Sequence, residues 1–280
     1  MHDGVGGDAP DADASAPVIE VRDLVAHYGE REILHGVGFA VRRGEIMVIM
    51  GGSGSGKSTL LRHLLGLEKP TSGSIRLLGQ EITRMSELEL YALSRRIGVA
   101  FQGGALFSSM SVGENVMLPL RERTRLDRET MRIMMRLKLE VVNLAGFEDL
   151  LPSELSGGMT KRAAFARAII MDPAILFCDE PSAGLDPVVS SALDELILRL
   201  RDALGMTIVV VTHELESAFR IADRITVLDG GEILLVGSVA EVRQSPNPRI
   251  RNLLERRFEE EEVDSDAYLA RLTGVAARRA

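Results

Sequence analysis

The stretch Gly51-Gly52-Ser53-Gly54-Ser55-Gly56-Lys57-Ser58-Thr59 decides how this chain folds, because it fits the pattern G-x-x-x-x-G-K-[ST] without a mismatch. Before it runs Glu45-Ile46-Met47-Val48-Ile49-Met50, apolar and short enough for a buried strand. After it, Leu60-Leu61-Arg62-His63-Leu64-Leu65 repeats apolar residues at helical spacing. The order predicted is strand, loop, helix. Glycines let the loop curl with its N–H groups pointing inward, and with the helix N-terminus they form a nest for phosphate oxygens. Lys57 would reach the β- and γ-phosphates of a nucleotide, and the Ser58 hydroxyl would hold Mg²⁺. The competing reading, a Gly/Ser linker between two elements, is disfavoured by the patterns on either side.

The remaining composition bounds the answer. With 280 residues, 45% hydrophobic and 26% charged, the chain can bury a sizeable core as one large or two small domains. Its apolar runs, such as Thr207-Ile208-Val209-Val210-Val211, are strand-sized and far short of the roughly 18 residues that a spanning helix needs. No secretion signal is visible and a single cysteine gives no disulfide framework, so cytosol is the expected compartment. Net charge is −8 and no basic run is interleaved with aromatics, so nucleic acid is not an expected partner.

Working outward along the chain, residues 1–17 read as a disordered leader of Gly, Ala and Asp. Residues 18–41 read as antiparallel strands turning at Tyr28-Gly29. Tyr28 is open to two readings, packing beside a turn or stacking on a nucleotide base. From Ser86 to Gly146 the pattern is mainly helical, interrupted by Ile97-Gly98-Val99-Ala100-Phe101-Gln102 and by the apolar segment Gly104-Ala105-Leu106-Phe107. Its methionines 131, 134 and 135 suit helix packing.

Leu155-Ser156-Gly157-Gly158-Met159 then precedes a helix whose start offers N–H donors and a positive dipole end, a second anion site. Ile175-Leu176-Phe177-Cys178-Asp179-Glu180 reads as a buried parallel strand ending in two carboxylates, the place where an open α/β sheet presents its chemistry. Cys178 reads as a small core hydrophobe. The Asp-Glu pair is either a solvated strand end or a site in which Asp179 binds Mg²⁺ and Glu180 activates water, and the phosphate loop favours the second. The strand 206–211 ends at Thr212-His213-Glu214, where His213 by itself admits a structural or a catalytic role. An alternating hairpin follows over 222–237, and from Glu241 the chain is charged and helical in pattern.

In this order the pieces resemble the ATP-binding subunits of ABC transporters over residues 18–245: the phosphate loop, the Leu155-Ser156-Gly157-Gly158 signature, the acidic strand end, the Ala183-Gly184-Leu185-Asp186 loop and the strand-end histidine. The resemblance implies an α/β fold, a P-loop NTPase core of the ABC ATPase type with an antiparallel β subdomain and a helical subdomain at about 86–160, followed by a charged helical tail over 246–280. It also implies an ATPase that uses ATP and Mg²⁺. Tyr28 becomes the adenine-stacking ring, Gln102 the residue linking γ-phosphate and Mg²⁺ to a membrane subunit, Glu180 the catalytic base and His213 the γ-phosphate sensor. Two copies would assemble head to tail, each phosphate loop closing on the other copy's Ser156, Gly157 and Gly158.

One departure is Met159, where the common signature has Gln. Together with Gly104-Ala105-Leu106-Phe107, Leu118-Pro119-Leu120-Arg121-Glu122 and Asn247-Pro248-Arg249-Ile250-Arg251, it is similar to the ATPases of phospholipid transporters that work with MCE-domain proteins and maintain outer-membrane lipid asymmetry. The partners implied are an integral permease, an MCE-domain protein and an accessory cytoplasmic subunit, with this chain peripheral on the cytoplasmic face of the inner membrane. The importer ATPase of a small molecule, or a soluble ABC ATPase of iron–sulfur assembly, would share the same core and differ in partners.

Overall fold

The computed structural model describes residues 16–255. All but the last two residues of the expected leader lie outside them, as does the tail beyond 255 with its Glu259 to Glu262 run. The chain divides into two units, Met1–Gln244 and Ser245–Ala280.

In the first unit, the strands are β1 (Ile19–Tyr28), β2 (Arg31–Val41), β3 (Ile46–Met50), β4 (Ser72–Leu77), β5 (Gln80–Glu81), β6 (Ile97–Ala100), β7 (Ile175–Asp179), β8 (Thr207–Thr212), β9 (Arg224–Asp229) and β10 (Glu232–Gly237). The helices are α1 (Lys57–Leu64), α2 (Glu87–Leu93), α3 (Val112–Arg123), α4 (Arg128–Val141), α5 (Gly157–Ile169), α6 (Pro187–Leu204), α7 (Leu215–Ile221) and α8 (Val239–Arg243). The second unit contributes α9 (Pro248–Leu254), begun by Asn247, whose side chain accepts the Arg249 N–H at 2.9 Å, with Pro248 in the first turn where its missing N–H costs nothing.

Two sheets carry the first unit. The order β2-β1-β4-β5 is antiparallel throughout, and the six-stranded order β10-β9-β3-β8-β7-β6 is parallel except for the β9–β10 hairpin. Every residue of β3 and β8 is buried, so these strands read as unbroken apolar runs rather than alternating ones, as strands covered on both faces must. Cys178 is fully buried in β7, and burial pushes its thiol far above the ordinary range, leaving it a small core hydrophobe.

The segment 97–100, which the sequence presents only as a break in a helical stretch, is the edge strand of the larger sheet beside β7. Gly98 makes this possible: a Cβ there would stand 2.3 Å from the Ala168 carbonyl oxygen of α5. Helices α3, α4 and α5 pack on one another, with Met135 and Leu139 as the buried residues of α4.

Capping fixes where these helices begin. Ser111 and Glu114 form a reciprocal capping box at α3, and Asp127 and Asp186 accept N–H groups at the starts of α4 and α6. The loop before α3 is held by Asn115, which is fully buried: its Oδ1 accepts the Phe107 N–H at 2.8 Å and its Nδ2 donates to the Phe107, Met110 and Ser111 carbonyls, each at 3.0 Å. One side chain thus serves the Phe107 N–H and shares its two amide hydrogens among three carbonyls, of which that of Ser111 also accepts the Asn115 backbone N–H at 2.9 Å.

Asn115→Ala should therefore destabilise the first unit by about 2–3 kcal/mol in urea unfolding, the cost of stranding buried backbone groups. A loss below about 0.5 kcal/mol would show that water replaces the amide without penalty.

Candidate functional site

Parallel register brings the candidate residues to one edge. Met50 pairs with Thr212, Asp179 with Val211, and Ala100 with Cys178. The carboxyl ends of β3, β8, β7 and β6 are therefore level, and the residues just beyond them (the 51–56 loop, His213, Glu180 and Gln102) emerge side by side. Ligand chemistry in open α/β sheets belongs at this edge.

The loop keeps its shape through glycine. A Cβ on Gly51 would lie 2.1 Å from the Leu228 carbonyl oxygen and 2.6 Å from Ser55 Oγ, while Gly56 has φ +103°, a conformation suited to a residue without a side chain. The Gly231 N–H donates to the Ser55 carbonyl at 3.1 Å, tying the β9–β10 turn to the loop. Around Gly52 and Gly54 the space is open, so the rim of the loop is bare backbone. Lys57 Nζ donates to the carbonyls of Gly51 and Gly52 at 2.8 and 2.7 Å, and Ser58 is exposed at the start of α1. Ser55 Oγ is buried with no hydrogen-bond partner among the described residues. A bare glycine rim, a lysine and serine at the helix start, and an unsatisfied hydroxyl fit the phosphates of a nucleotide.

Glu180 stands opposite. Its side chain is nearly buried, and both oxygens are engaged: Oε2 accepts from Thr212 Oγ1 at 3.1 Å and from the His213 N–H at 3.4 Å, and Oε1 lies 2.8 Å from His213 Nδ1. With the carboxylate ionised, the hydrogen on that last bond can only come from Nδ1. Thr212 Oγ1 also accepts the Glu214 N–H at 3.0 Å, which turns its proton toward Glu180. Glu180 has φ +44°, an uncommon conformation for a residue with a side chain.

Asp179 is half-buried at the end of β7. Burial first, and then the Glu180 charge, push it above the usual carboxylate range, with Lys161 and Lys57 acting against both. Burial lowers the two lysines in turn, and Glu180 and Asp179 oppose that shift. Two cations thus lie within electrostatic reach of two carboxylates. Among the described residues no cluster of three or more His, Cys, Asp or Glu side chains is placed to hold a metal. A cation of the Mg²⁺ kind, which takes only one or two protein ligands and draws the rest from phosphate and water, fits Ser58 and Asp179 here.

The other expected residues take different places. Tyr28 is 81% exposed, so packing does not account for it; it pairs with Arg31 at the end of the hairpin whose Ile33 and Leu34 lie against Gly56. Gln102 is exposed just past β6. Ser156 caps α5, its hydroxyl accepting the Met159 N–H at 3.3 Å, and both Ser156 and Gly157 are exposed. A Cβ on Gly158 would lie 2.7 Å from Val189 of α6 and one on Gly157 3.5 Å from Leu185, so the signature's contacts run to the 183–189 region rather than to its own chain's phosphate loop.

Three participants carried no sequence signal of their own. Thr212 is one more β-branched residue of a strand, and Lys161 and Arg167 look like the solvated face of a helix. In the structure Lys161 Nζ donates to the carbonyls of Gln102 and Glu180 (3.1 Å to the latter), and Arg167 donates to the Ala105 and Gly104 carbonyls at 2.7 and 2.8 Å.

The chain is similar to known proteins over most of its length. The family model described as ABC transporter matches residues 34–183. The intermembrane phospholipid transport system ATP-binding protein MlaF of Escherichia coli (strain K12) is 42% identical over 240 residues, covering 86% of this chain and 89% of that protein. A probable ribonucleotide transport ATP-binding protein, mkl, of Mycobacterium leprae is 39% identical over 239 residues, covering 85% and 69% respectively. Among solved structures, a dimeric ATP-binding cassette in a post-hydrolysis state with ADP and Pi superposes with a TM-score of 0.73 at 32% identity, covering 79% of this chain and 98% of that one.

Gly51→Ala should weaken binding of a nucleoside triphosphate by at least about tenfold and cost about 1–3 kcal/mol of stability, since the new methyl overlaps backbone that cannot yield. Gly52→Ala, facing open space, should leave stability within about 0.5 kcal/mol. Equal melting behaviour in the two variants would show that the loop is not packed as described.

Proposed function

The chain belongs to the ATP-binding subunits of ABC transporters, and from that premise we propose that it powers phospholipid transport between the inner and outer membranes, together with an integral permease and an MCE-domain protein. It is an ATPase and uses ATP with Mg²⁺. The observation that carries the lipid reading is the 42% identity to MlaF, which extends over nearly the whole of both chains and is not confined to the nucleotide motifs.

In this reading the loop glycines and Lys57 would hold the β- and γ-phosphates, Tyr28 would cover the adenine, and Ser58, Asp179 and Gln102 would hold Mg²⁺. When bound, Mg²⁺ offsets the charge of the transferring phosphoryl group. Glu180 accepts the proton of the attacking water, its carboxylate aimed by Thr212 and His213. His213 is bonded to Glu180 through Nδ1, and its Nε2, which lies 3.5 Å from Glu214 Oε1, would turn from that carboxylate to donate to the γ-phosphate with both ring nitrogens protonated. Ser156, Gly157 and Gly158 complete the site of a second copy arranged head to tail, which accounts for a helix start left exposed. Met159 leaves that arrangement intact, because it enters the cap only through its backbone N–H.

Among the described residues no helix is long and apolar enough to cross a membrane. The proposed permease supplies that part, and its contact surface is a groove of about 630 Å³ beside Gln102, lined by Tyr91, Val99, Phe101, Ala105 and Leu118 and edged by Arg123. Phe107, 53% exposed, stands on the adjoining loop. Open apolar surface next to a site that changes with nucleotide state suits a docked helix of another subunit. The peripheral position on the cytoplasmic face and an accessory cytoplasmic subunit belong to the same proposal.

Glu180→Gln should lower kcat by about 10²–10⁴-fold while ATP affinity stays close to parental, as expected of a general base that does not hold nucleotide. A parental rate would remove Glu180 from that role.

The transport reading is tested by isolating the chain from membranes and identifying what accompanies it. An integral permease with an MCE-domain protein is the expected result, and an amino-acid or metal permease, or iron–sulfur assembly proteins, would overturn the lipid assignment. Replacing Leu106 and Phe107 together by Ser should release the chain from that complex without loss of nucleotide binding.

A further inference from the structure

Among the described residues Lys161 is the one lysine or arginine that is buried, with 8% of its surface exposed. An ammonium is costly to bury, and this one is not spent on holding a helix or sheet together. Its bonds go to the carbonyls of Gln102 and Glu180, each just beyond the carboxyl end of a strand, β6 and β7. The two strands are neighbours in the sheet, and Lys161 is the side chain that joins the two loops leaving them.

The Glu180 end of this tie is the informative one. Glu180 has φ +44°, a conformation that a residue with a Cβ leaves unless its peptide groups are held. Its N–H donates to the Val211 carbonyl at 2.8 Å, and its carbonyl accepts from Lys161 at 3.1 Å and, less closely, from the Ala183 N–H at 3.3 Å. The side chain is aimed separately, by Thr212 and His213. Deleting the Lys161 donor would therefore leave the carboxylate its partners and loosen the backbone that carries it, whose carbonyl would keep only the longer bond from Ala183. At the other end Lys161 grips Gln102, the second residue of the loop that runs from β6 to Phe107. Lys161 itself sits one turn into α5, the helix that opens at Ser156.

We propose that Lys161 is a positioning residue for ATP hydrolysis: its ammonium fastens the Glu180 and Gln102 backbones to α5, so that the base and the loop beside the groove take their places from the helix that carries the signature. The proposal rests on the reading of Glu180 as the base. A displacement of the 102–107 loop is then felt at Glu180 through a single side chain, with no rearrangement of the sheet. The pocket's charges agree with the placement, because Asp179 and Glu180 both favour the charged form of Lys161 against its burial.

The test uses the full-length protein. Lys161→Met and Lys161→Leu keep an apolar stem and delete the donor, whereas Lys161→Arg keeps a cation able to reach two carbonyls. The expected result is a fall in kcat of about 10²-fold for Met and Leu, of the size that misplacing a catalytic group causes, with KM for ATP and affinity for a non-hydrolysable ATP analogue within about threefold of parental, and substantial recovery of kcat in Lys161→Arg. The proposal is overturned if kcat of the Met and Leu variants stays within about twofold of parental, if nucleotide affinity falls in step with kcat, or if Lys161→Arg is as slow as Lys161→Met. It is equally overturned if the Met and Leu variants lose cooperative melting, because Lys161 is then a part of the fold. Glu180→Gln assayed alongside separates the two readings: an active Glu180→Gln defeats the assignment of the base, whereas an inactive Glu180→Gln beside an active Lys161→Met defeats the role of Lys161 alone.

Discussion

Everything at the site depends on parallel strands ending at the same height. β3 hydrogen-bonds to β8 on one side and β9 on the other, and β8 continues to β7 and β7 to β6, all in parallel register. A parallel sheet needs helical crossovers, which bury both its faces and force its strands to be apolar along their length. Apart from the buried Thr226 inside β9, polar residues of these strands stand at their ends, so chemistry collects at one edge by exclusion from the rest. A slip of one residue between β7 and β8 would turn Asp179 into the apolar layer and carry Glu180 away from Thr212 and His213.

Electrostatics supplies the second constraint. Lys57, Lys161 and Asp179 lie close enough to one another and to the Glu180 carboxylate for the charges to act on their protonation, and none of the four is fully solvated. In a medium of reduced dielectric an unbalanced member would be costly, whereas two of each sign keep the group near neutrality. Lys57 shows what that balance leaves available: its ammonium rests on the Gly51 and Gly52 carbonyls, bonds that phosphate oxygens can replace at little cost.

Sequence made some of this visible and hid the rest for definite reasons. The phosphate loop, the acidic end of β7 and the histidine after β8 were legible because each follows an apolar strand pattern, so spacing alone sets them at a strand end. The hairpins were legible from alternation and glycine turns. β6 was not, since four residues containing a glycine give no period, and only the approach of Ala168 explains why Gly98 must be there. Lys161 was hidden for the opposite reason: beside Thr160 and Arg162 it has the look of a solvated helix face, and its burial depends on two carbonyls distant in sequence. Tyr28 was ambiguous between packing and stacking, and its exposure removes the first.

Helix α5 then gains a meaning that none of its residues has alone. Its start is exposed at the cap Ser156 and at Gly157, and its N–H groups and positive dipole end make it a suitable receiver for an anion held by another copy in the proposed pairing. Its second turn carries Lys161, and its fourth carries Arg167, which holds the Gly104 and Ala105 carbonyls. Ala105 has φ +49°, so that loop too is kept in an uncommon conformation by a cation from the same helix. Packing leaves α5 little freedom to deform, with Ala163, Ala164 and Ala166 buried against its neighbours. In the proposed head-to-tail pairing, a rigid element that touches the neighbouring copy's nucleotide at one end and two strained loops along its length can move them only together. Under the proposed reading this is how hydrolysis in one site and the posture of the permease loop come to depend on whether the other copy has closed.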